Sequence, residues 1–293
     1  MTDAAPARDW RADLDLPRPR SIIELIRAGT LDAELAATLW ILIEGRVPVI
    51  VAATERGAGT STLLAALLDF LPPNMRVLPI DRAGSAFDQL PQASELGWRS
   101  EGPTVSRPTG PPIRSVDTVL HIPELSDREP DGVWGDSARI AVRAASVGYG
   151  IAATTRADAL DELFTRFSRP PVALSDDELS RLGIVLVLRR FDDDRRRVTA
   201  AHYLRPTARD EHGHVQRLGP AVLAIWDPAS DRFEGFGWGI TPELALRVGR
   251  RAGDFELEVD RRRAFLAGLV EAGTIDTADV RSAIDGFQIT VPT

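Results

Sequence analysis

One change of pattern between residues 47 and 70 constrains the chain more than anything else in it. Val47-Pro-Val-Ile-Val-Ala-Ala53 is a short β-branched run, which predicts a buried parallel strand. A turn with two glycines follows, Thr54-Glu-Arg-Gly-Ala-Gly-Thr-Ser61. Then Thr62-Leu-Leu-Ala-Ala-Leu-Leu-Asp-Phe70 predicts a helix, stopped by Pro72 and Pro73. The rhythm continues in the first half. Residues 76–80, 117–122 and 150–155 predict further strands, with a helix over 136–146. Ahead of them, residues 21–28 and 31–44 carry apolar residues at helical spacing, and Thr30 is the expected cap of the second helix. Strands alternating with helices imply an α/β fold with a mainly parallel sheet.

The pattern changes after residue 180. Residues 182–191 and 196–204 flank Asp192-Asp-Asp194 and predict a hairpin, and residues 221–227 and 232–236 predict a second. Helices close the chain. Thr241-Pro-Glu243 reads as a cap, a proline and an acid in the first turn. A charged amphipathic helix is expected over 255–272, ended at Gly273, and a short last helix over 279–284. The expected division is a flexible tail over 1–20, a core over 21–206, and a C-terminal hairpin and helical region over 207–293.

The 293 residues carry a net charge of −8, which argues against a nucleic-acid binder held mainly by phosphate contacts. Without cysteine there are no disulfides, thiolate metal sites or thiol nucleophiles. Residues 1–20 are polar and lack the apolar stretch of a signal peptide, and no run is long enough to span a bilayer, so a cytoplasmic protein is expected. Lysine is also absent, and every basic side chain other than histidine is arginine. Any mechanism that needs a lysine is excluded.

That absence bears directly on the glycine turn. Strand, glycine turn and helix in this order form the context of a phosphate-binding P-loop, where backbone N–H groups and the helix N-terminus offer an anion site. Gly57 and Gly59 allow tight curvature and close phosphate approach. The nucleotide-binding candidates are Arg56, Gly57, Ala58, Gly59, Thr60, Ser61 and Thr62, with Ser61 where the motif's hydroxyl holds Mg²⁺. Against the pattern Gly-x-x-x-x-Gly-Lys-Ser/Thr, Thr54 replaces the first glycine and Thr60 replaces the lysine. Losing one charge-assisted hydrogen bond lowers nucleotide affinity roughly ten- to a hundredfold. The larger loss is a cation for the charge that develops on a transferred phosphoryl group. Arg56 is the nearby candidate to contact a phosphate from outside the loop, against the plainer reading of a solvated arginine. Taken alone, the segment also reads as a small-residue turn packing a helix on a sheet.

In order along the chain, these segments resemble the type II/type IV secretion traffic ATPases, most of all the tight-adherence pilus and archaellum-type motors. The resemblance runs from residue 21 to the C-terminus. It includes Ile26-Arg-Ala-Gly-Thr-Leu31, the phosphate loop, Leu71-Pro-Pro73 and Arg76-Val-Leu-Pro-Ile-Asp81, which is similar to the family's Asp box. It continues with Trp98-Arg-Ser-Glu-Gly-Pro103, similar to an Arg-x-Glu-x-Arg-Pro segment. Asp117 to Glu124 resembles the Walker B strand, and Ala152-Ala-Thr-Thr-Arg-Ala-Asp-Ala-Leu160 the His box. The segments 227–233, 258–266 and 270–273 are similar to the archaeal branch.

The resemblance implies a RecA-like P-loop NTPase core followed by hairpins and a helical C-terminal region. It implies a hexamer, homo- or hetero-oligomeric, that uses Mg²⁺ and ATP at a membrane platform protein. Carried across residue by residue, Ser61 holds Mg²⁺ through the nucleotide, Glu124 positions water, Asp81 matches an Asp-box acid and Arg99 reaches nucleotide phosphates. The departures concentrate at the chemistry. Besides Thr60, Pro123 stands for the Walker B glycine, Ser126 for an arginine, Arg156 for the His-box histidine and Gly102 for the second arginine. Residues 107–112 are Pro-rich where a helix is expected, and the family's large N-terminal domain is reduced to a tail. Three readings stay open: an ATPase-like subunit with impaired or no hydrolysis, a weak ATPase that drives pilus assembly or protein export, and a nucleotide-sensing regulatory subunit.

Other constellations read as structural. His212-Gly-His214 with Asp210 and Glu211 is a solvated loop before it is a metal site. His121 and His202 read as core histidines. Asp192 to Arg197 reads as a solvated hairpin tip with local pairing. Arg261-Arg-Arg263 spreads around a helix without forming one face.

Overall fold

In a computed structural model of the chain, residues 19–99, 113–209, 211–212, 215–216 and 218–290 are described. Most of the expected tail, Glu101 and Gly102, the Pro-rich 107–112, Asp210 and His214 lie outside them. α1 (Ile22–Arg27) opens where Ser21 Oγ accepts the Glu24 N–H. α2 (Ala33–Glu44) is capped by Asp32, which accepts the Leu35 N–H at 2.8 Å. Thr30, the expected cap, sits too far back in the connection. Its N–H is used by the Leu25 carbonyl and its own carbonyl by Val198.

The βα succession then runs β1 (Val49–Ala52), α3 (Thr60–Leu68), β2 (Arg76–Pro79), β3 (Thr118–Ile122), α4 (Asp136–Ala144), β4 (Gly150–Thr155), α5 (Leu160–Ser168) and α6 (Asp176–Ser180). β5 (Ile184–Arg190) and β6 (Arg196–Tyr203) form the first hairpin, with Arg190 opposite Arg196. β7 (Ala208–Arg209) and β8 (Val215–Gln216) pair as a small ribbon. β9 (Ala221–Asp227) and β10 (Arg232–Gly235) form the second long hairpin, and α7 (Thr241–Arg247), α8 (Ala252–Ala272) and α9 (Thr277–Thr290) follow.

The main sheet has the order β10-β9-β6-β5-β1-β4-β3-β2. From β5 to β2 every pairing is parallel, while β6, β9 and β10 extend the sheet antiparallel. This is a mixed α/β fold with a mainly parallel sheet, followed by hairpins and helices. β4 lies between β1 and β3, so the segments leaving β1 and β3 emerge at the same end of the sheet, two strand spacings or roughly 10 Å apart. Ligands of open α/β sheets bind in the crevice outside those carboxyl ends.

Both faces of the sheet are covered, which explains the unbroken apolar run in β1. Val49 and Val51 pack with α1, α2, α3, α8 and α9, and Ile50 and Ala52 pack with α4, α5 and the segment after β2. The C-terminal helices share the first layer: Phe255, Leu266, Val280 and Ile284 are buried in the same cluster as Leu39 and Trp40. Trp40 stacks on Phe70 at 4.9 Å and meets Phe265 and Phe287.

Three boundaries differ from expectation. α3 starts at Thr60, inside the predicted turn, because Gly59 turns the chain directly into the helix. α9 covers 14 residues where a short helix was expected. Phe287 continues the Val280–Ile284 stripe onto Trp40, and this packing outweighs the low helix propensity of Gly286. Thr241 is the first residue of α7 and not its cap, since its hydroxyl donates back toward the Gly237 and Trp238 carbonyls. No described helix is long and apolar enough to cross a membrane.

Candidate functional site: a lysine-free phosphate loop

The turn after β1 uses its glycines where only glycine adopts the backbone cheaply. Gly57 has φ 75° and Gly59 φ 100°. Gly59 is the N-cap of α3 and has no side chain to satisfy the first-turn N–H groups. Those donors, with the positive end of the helix dipole, form an anion-binding arrangement. Ala58 is buried beneath the loop, its N–H turned to the Glu55 carbonyl.

Gly57, Gly59, Thr60, Ser61 and Thr62 line one side of a cavity of about 670 Å³. Glu124, Thr154 and Arg156 line it from the ends of β3 and β4, and Asp193 to Arg196 from the first hairpin. Arg20, Leu25, Ala28 and Thr30 close the α1 side.

Glu124 is fixed at the end of β3 by backbone bonds on either side: the Leu125 N–H donates to the Thr154 carbonyl, and the Val133 N–H to the Glu124 carbonyl. Burial pushes its carboxyl above the usual carboxylate range, against the opposing pull of Ser126 and Arg156. Arg156 Nε lies 3.7 Å from Glu124 Oε2, and its Nη2 donates to Glu129 at 2.9 Å. Glu124 Oε1 and Arg156 Nε are buried without a hydrogen-bond partner.

Arg56 leans outward. Its guanidinium makes a two-pronged pair with Glu129 and holds that carboxyl below its usual range. An ion-pair chain Arg56–Glu129–Arg156–Glu124 therefore ties the loop to the acid. Arg56 is exposed and does not line the cavity, so the loop's own arginine is not placed where a lysine would act.

Asp81 is also elsewhere. It accepts the N–H and the hydroxyl of Ser85, at 3.2 and 2.9 Å, and organises the turn after β2. Arg99 is exposed beside the undescribed 100–112 and lines no part of the cavity. The site thus gathers Gly57, Gly59, Thr60, Ser61, Thr62 and Glu124, with Ala58 beneath, and leaves Arg56, Asp81 and Arg99 outside.

The tip of the first hairpin is solvated and locally paired, as expected: Asp192 to Arg195 are exposed, and Asp194 meets Arg190 at 2.7 Å and Arg196 at 3.4 Å. Arg196, half-buried at its base, also touches the phosphate loop. Arg196 Nη2 is 3.4 Å from the Gly57 carbonyl, and its Cδ is 3.1 Å from where a Cβ on Gly59 would sit. Arg197 points to the opposite face. Its buried guanidinium donates to the Ala28 carbonyl at 2.8 Å and pairs with Asp231 at 2.9 Å. β5 runs parallel to β1, so the turn after β5 returns to the same end of the sheet as the loop.

His121 lies in β3 between Pro79 and Ala152, away from the cavity. Burial pushes its pKa down to about 4, and Nδ1 has no hydrogen-bond partner, so this core histidine is neutral and incompletely satisfied. His202 is partly buried on β6, and burial lowers its pKa also. His212 and Glu211 are exposed and 3.6 Å apart. No cluster of three metal-binding side chains occurs among the described residues.

Fold and loop together define a mixed α/β chain with a glycine turn between β1 and α3 that leaves an anion-binding arrangement. No family model matches it. Two curated relatives from Methanocaldococcus jannaschii are similar along most of its length. Uncharacterized protein MJ0900 is 24% identical over 282 residues, which cover 92% of this chain and 49% of that protein. Uncharacterized protein MJ1287 is 26% identical over 259 residues, 84% of this chain and 90% of that protein. The chain therefore spans about half the length of the first relative. Among solved structures, the ATPase DotB of Legionella pneumophila is similar at 16% identity and a TM-score of 0.32, covering 77% of this chain and 55% of that one.

Proposed function

We propose that this chain is an ATPase-like subunit that binds Mg-ATP with impaired or no hydrolysis, and works in a type II/type IV secretion or pilus assembly machine. The observation that carries the binding half is the cavity of about 670 Å³, in which uncapped N–H donors of α3, four arginines and Glu124 meet. Its volume is within the range of small-molecule sites. The donor set fits a polyphosphate: backbone N–H groups from 59–62 for the phosphates and Ser61 for Mg²⁺. The group they would hold supplies the phosphoanhydride bond and the divalent charge. The chain's own part is to orient the phosphates and to offer Glu124 as the acid facing them. The machine rests on the ordered resemblance along the sequence, and so do the hexamer and the membrane platform partner. A cytoplasmic location, peripheral at the membrane through that partner, belongs to the same reading.

Impaired turnover follows from the missing charge. Without lysine at position 60, charge developing on a transferred phosphoryl group lacks the cation that the motif normally provides. A Thr60→Lys variant tests the cradle itself. Mg-ATP affinity should rise roughly ten- to a hundredfold if the remaining loop is intact, and no gain would contradict the assignment of the cavity. A second reading, a weak ATPase, is favoured by one observation: Glu124 lines the same cavity as Ser61. Phosphate release that disappears in Glu124→Gln would establish that reading over the noncatalytic one.

A further inference from the structure

Six described arginines line the cavity or approach the loop, and their partners separate them. Arg20, ahead of α1, contacts Glu24 at 3.5 Å. Arg56 and Arg156 are both engaged by Glu129 at 2.9 Å. Arg195 is held by Asp193 and Asp231. Arg190 is held by Asp194 at 2.7 Å. Arg196 has a loose carboxylate contact, 3.4 Å to Asp194, and of these arginines it alone reaches across from another element to hydrogen-bond the loop, at the Gly57 carbonyl. Its aliphatic stem lies over Gly59, the residue that turns the chain into α3. Alternation along β6 fixes this placement. Arg197, on the other face, is buried between the Ala28 carbonyl and Asp231, so the backbone that carries Arg196 is anchored by its neighbour. The arginine triplet is thus divided between an anchor and a cation turned toward the phosphate cradle.

We propose that Arg196, reaching in from the first hairpin of the same chain, takes the place of the missing lysine. It receives the β- and γ-phosphates of a nucleoside triphosphate by exchanging Asp194 for the ligand. This rests on the reading of the cavity as a nucleotide site. A carboxylate at 3.4 Å is a weak competitor, and a polyphosphate offers the guanidinium a two-pronged acceptor at higher charge. Asp194 then sets a threshold: ligands that carry several negative charges displace it, and a monophosphate displaces it poorly. The charge is supplied by a strand that also belongs to the sheet, so phosphate binding at the loop is coupled to the position of the hairpin.

The experiment is calorimetric titration of the full chain with Mg-ATP and, separately, AMP. The proteins are wild type, Arg196→Ala, Arg196→Lys, Asp194→Asn, and Arg196→Ala combined with Thr60→Lys. Arg196→Ala should weaken Mg-ATP roughly ten- to a hundredfold and AMP by much less. Arg196→Lys should keep most of the affinity, and Asp194→Asn should strengthen Mg-ATP binding. Adding Thr60→Lys to Arg196→Ala should restore it, because one loop cation replaces the other. Wild-type affinity in Arg196→Ala overturns the role of Arg196 and leaves the cavity assignment standing. Equal losses for Mg-ATP and AMP, with no rescue by either lysine, overturn it too, since they mark a structural support of Gly57. No binding by the wild type at millimolar Mg-ATP overturns both the cavity assignment and this role.

Discussion

Burial of His121 sets a sign for the pH dependence of stability. Its pKa is about 4 in the fold against 6.5 for the free imidazole. Between those values the unfolded chain binds the proton that the folded chain refuses, so this residue makes stability rise with pH. Its contribution is complete above pH 6.5 and is lost as pH falls through about 4, a span worth about 3 kcal/mol. Glu124 acts in the opposite direction. Its raised carboxyl gives stability that is complete below its unfolded pKa and is lost as pH rises through the folded one. His121→Leu is expected to flatten the rise in urea midpoint between pH 4 and 6.5, and an unaltered rise would assign it to other groups. Gly59→Ala is the second test at this scale. It places a Cβ at φ 100° and 3.1 Å from Arg196 Cδ, and the backbone penalty alone is about 1–2 kcal/mol, read as a fall in Tm.

Among the elements, α8 depends on a buried charge. Arg262, 2% exposed, lies 4.8 Å over the Trp40 ring and reaches Glu44 at 2.5 Å and Glu258 at 3.5 Å. Arg262→Ala would leave the largely buried Glu44 carboxyl without this cation and Glu258 with Arg261 alone, and is expected to cost about 3–5 kcal/mol in denaturant unfolding. A loss near zero would mean that water reaches the carboxylates in the variant. The Arg261–Arg263 triplet was legible as spread around a helix, and Arg261 and Arg263 do pair at the surface with Glu258 and Asp260. That its middle member is buried was not legible, because burial depends on which helix packs against it. The same limit applies at the site. The strand, glycine turn and helix were readable from residues 47–70 because pattern and turn chemistry are local. The hairpin over the loop was readable as a hairpin but not as a site component. Its arginines reach Gly57 and Gly59 only after β5 has paired with β1, a contact between residues more than a hundred positions apart. Arg56 misled for the same reason, since its partner Glu129 arrives from a distant loop.

Across the whole molecule, one sheet and one apolar layer join the two expected regions. β9 pairs with β6 across residue 206, and Phe255, Leu266, Val280 and Ile284 fill the layer that covers Leu39 and Trp40. A fragment ending at residue 206 is therefore expected to lack a cooperative thermal transition, while a fragment that melts cooperatively near the full chain would show that the C-terminal elements are dispensable for folding. The sheet also brings loop and acid to one crevice, and on that crevice the proposed activity depends. The most direct measurement is a calorimetric titration of the full chain with Mg-ATP, followed by phosphate release on the same sample. Saturable binding of one nucleotide per chain, with little or no phosphate released, is the expected result. No binding heat at millimolar nucleotide would contradict it, and so would rapid turnover that Glu124→Gln abolishes.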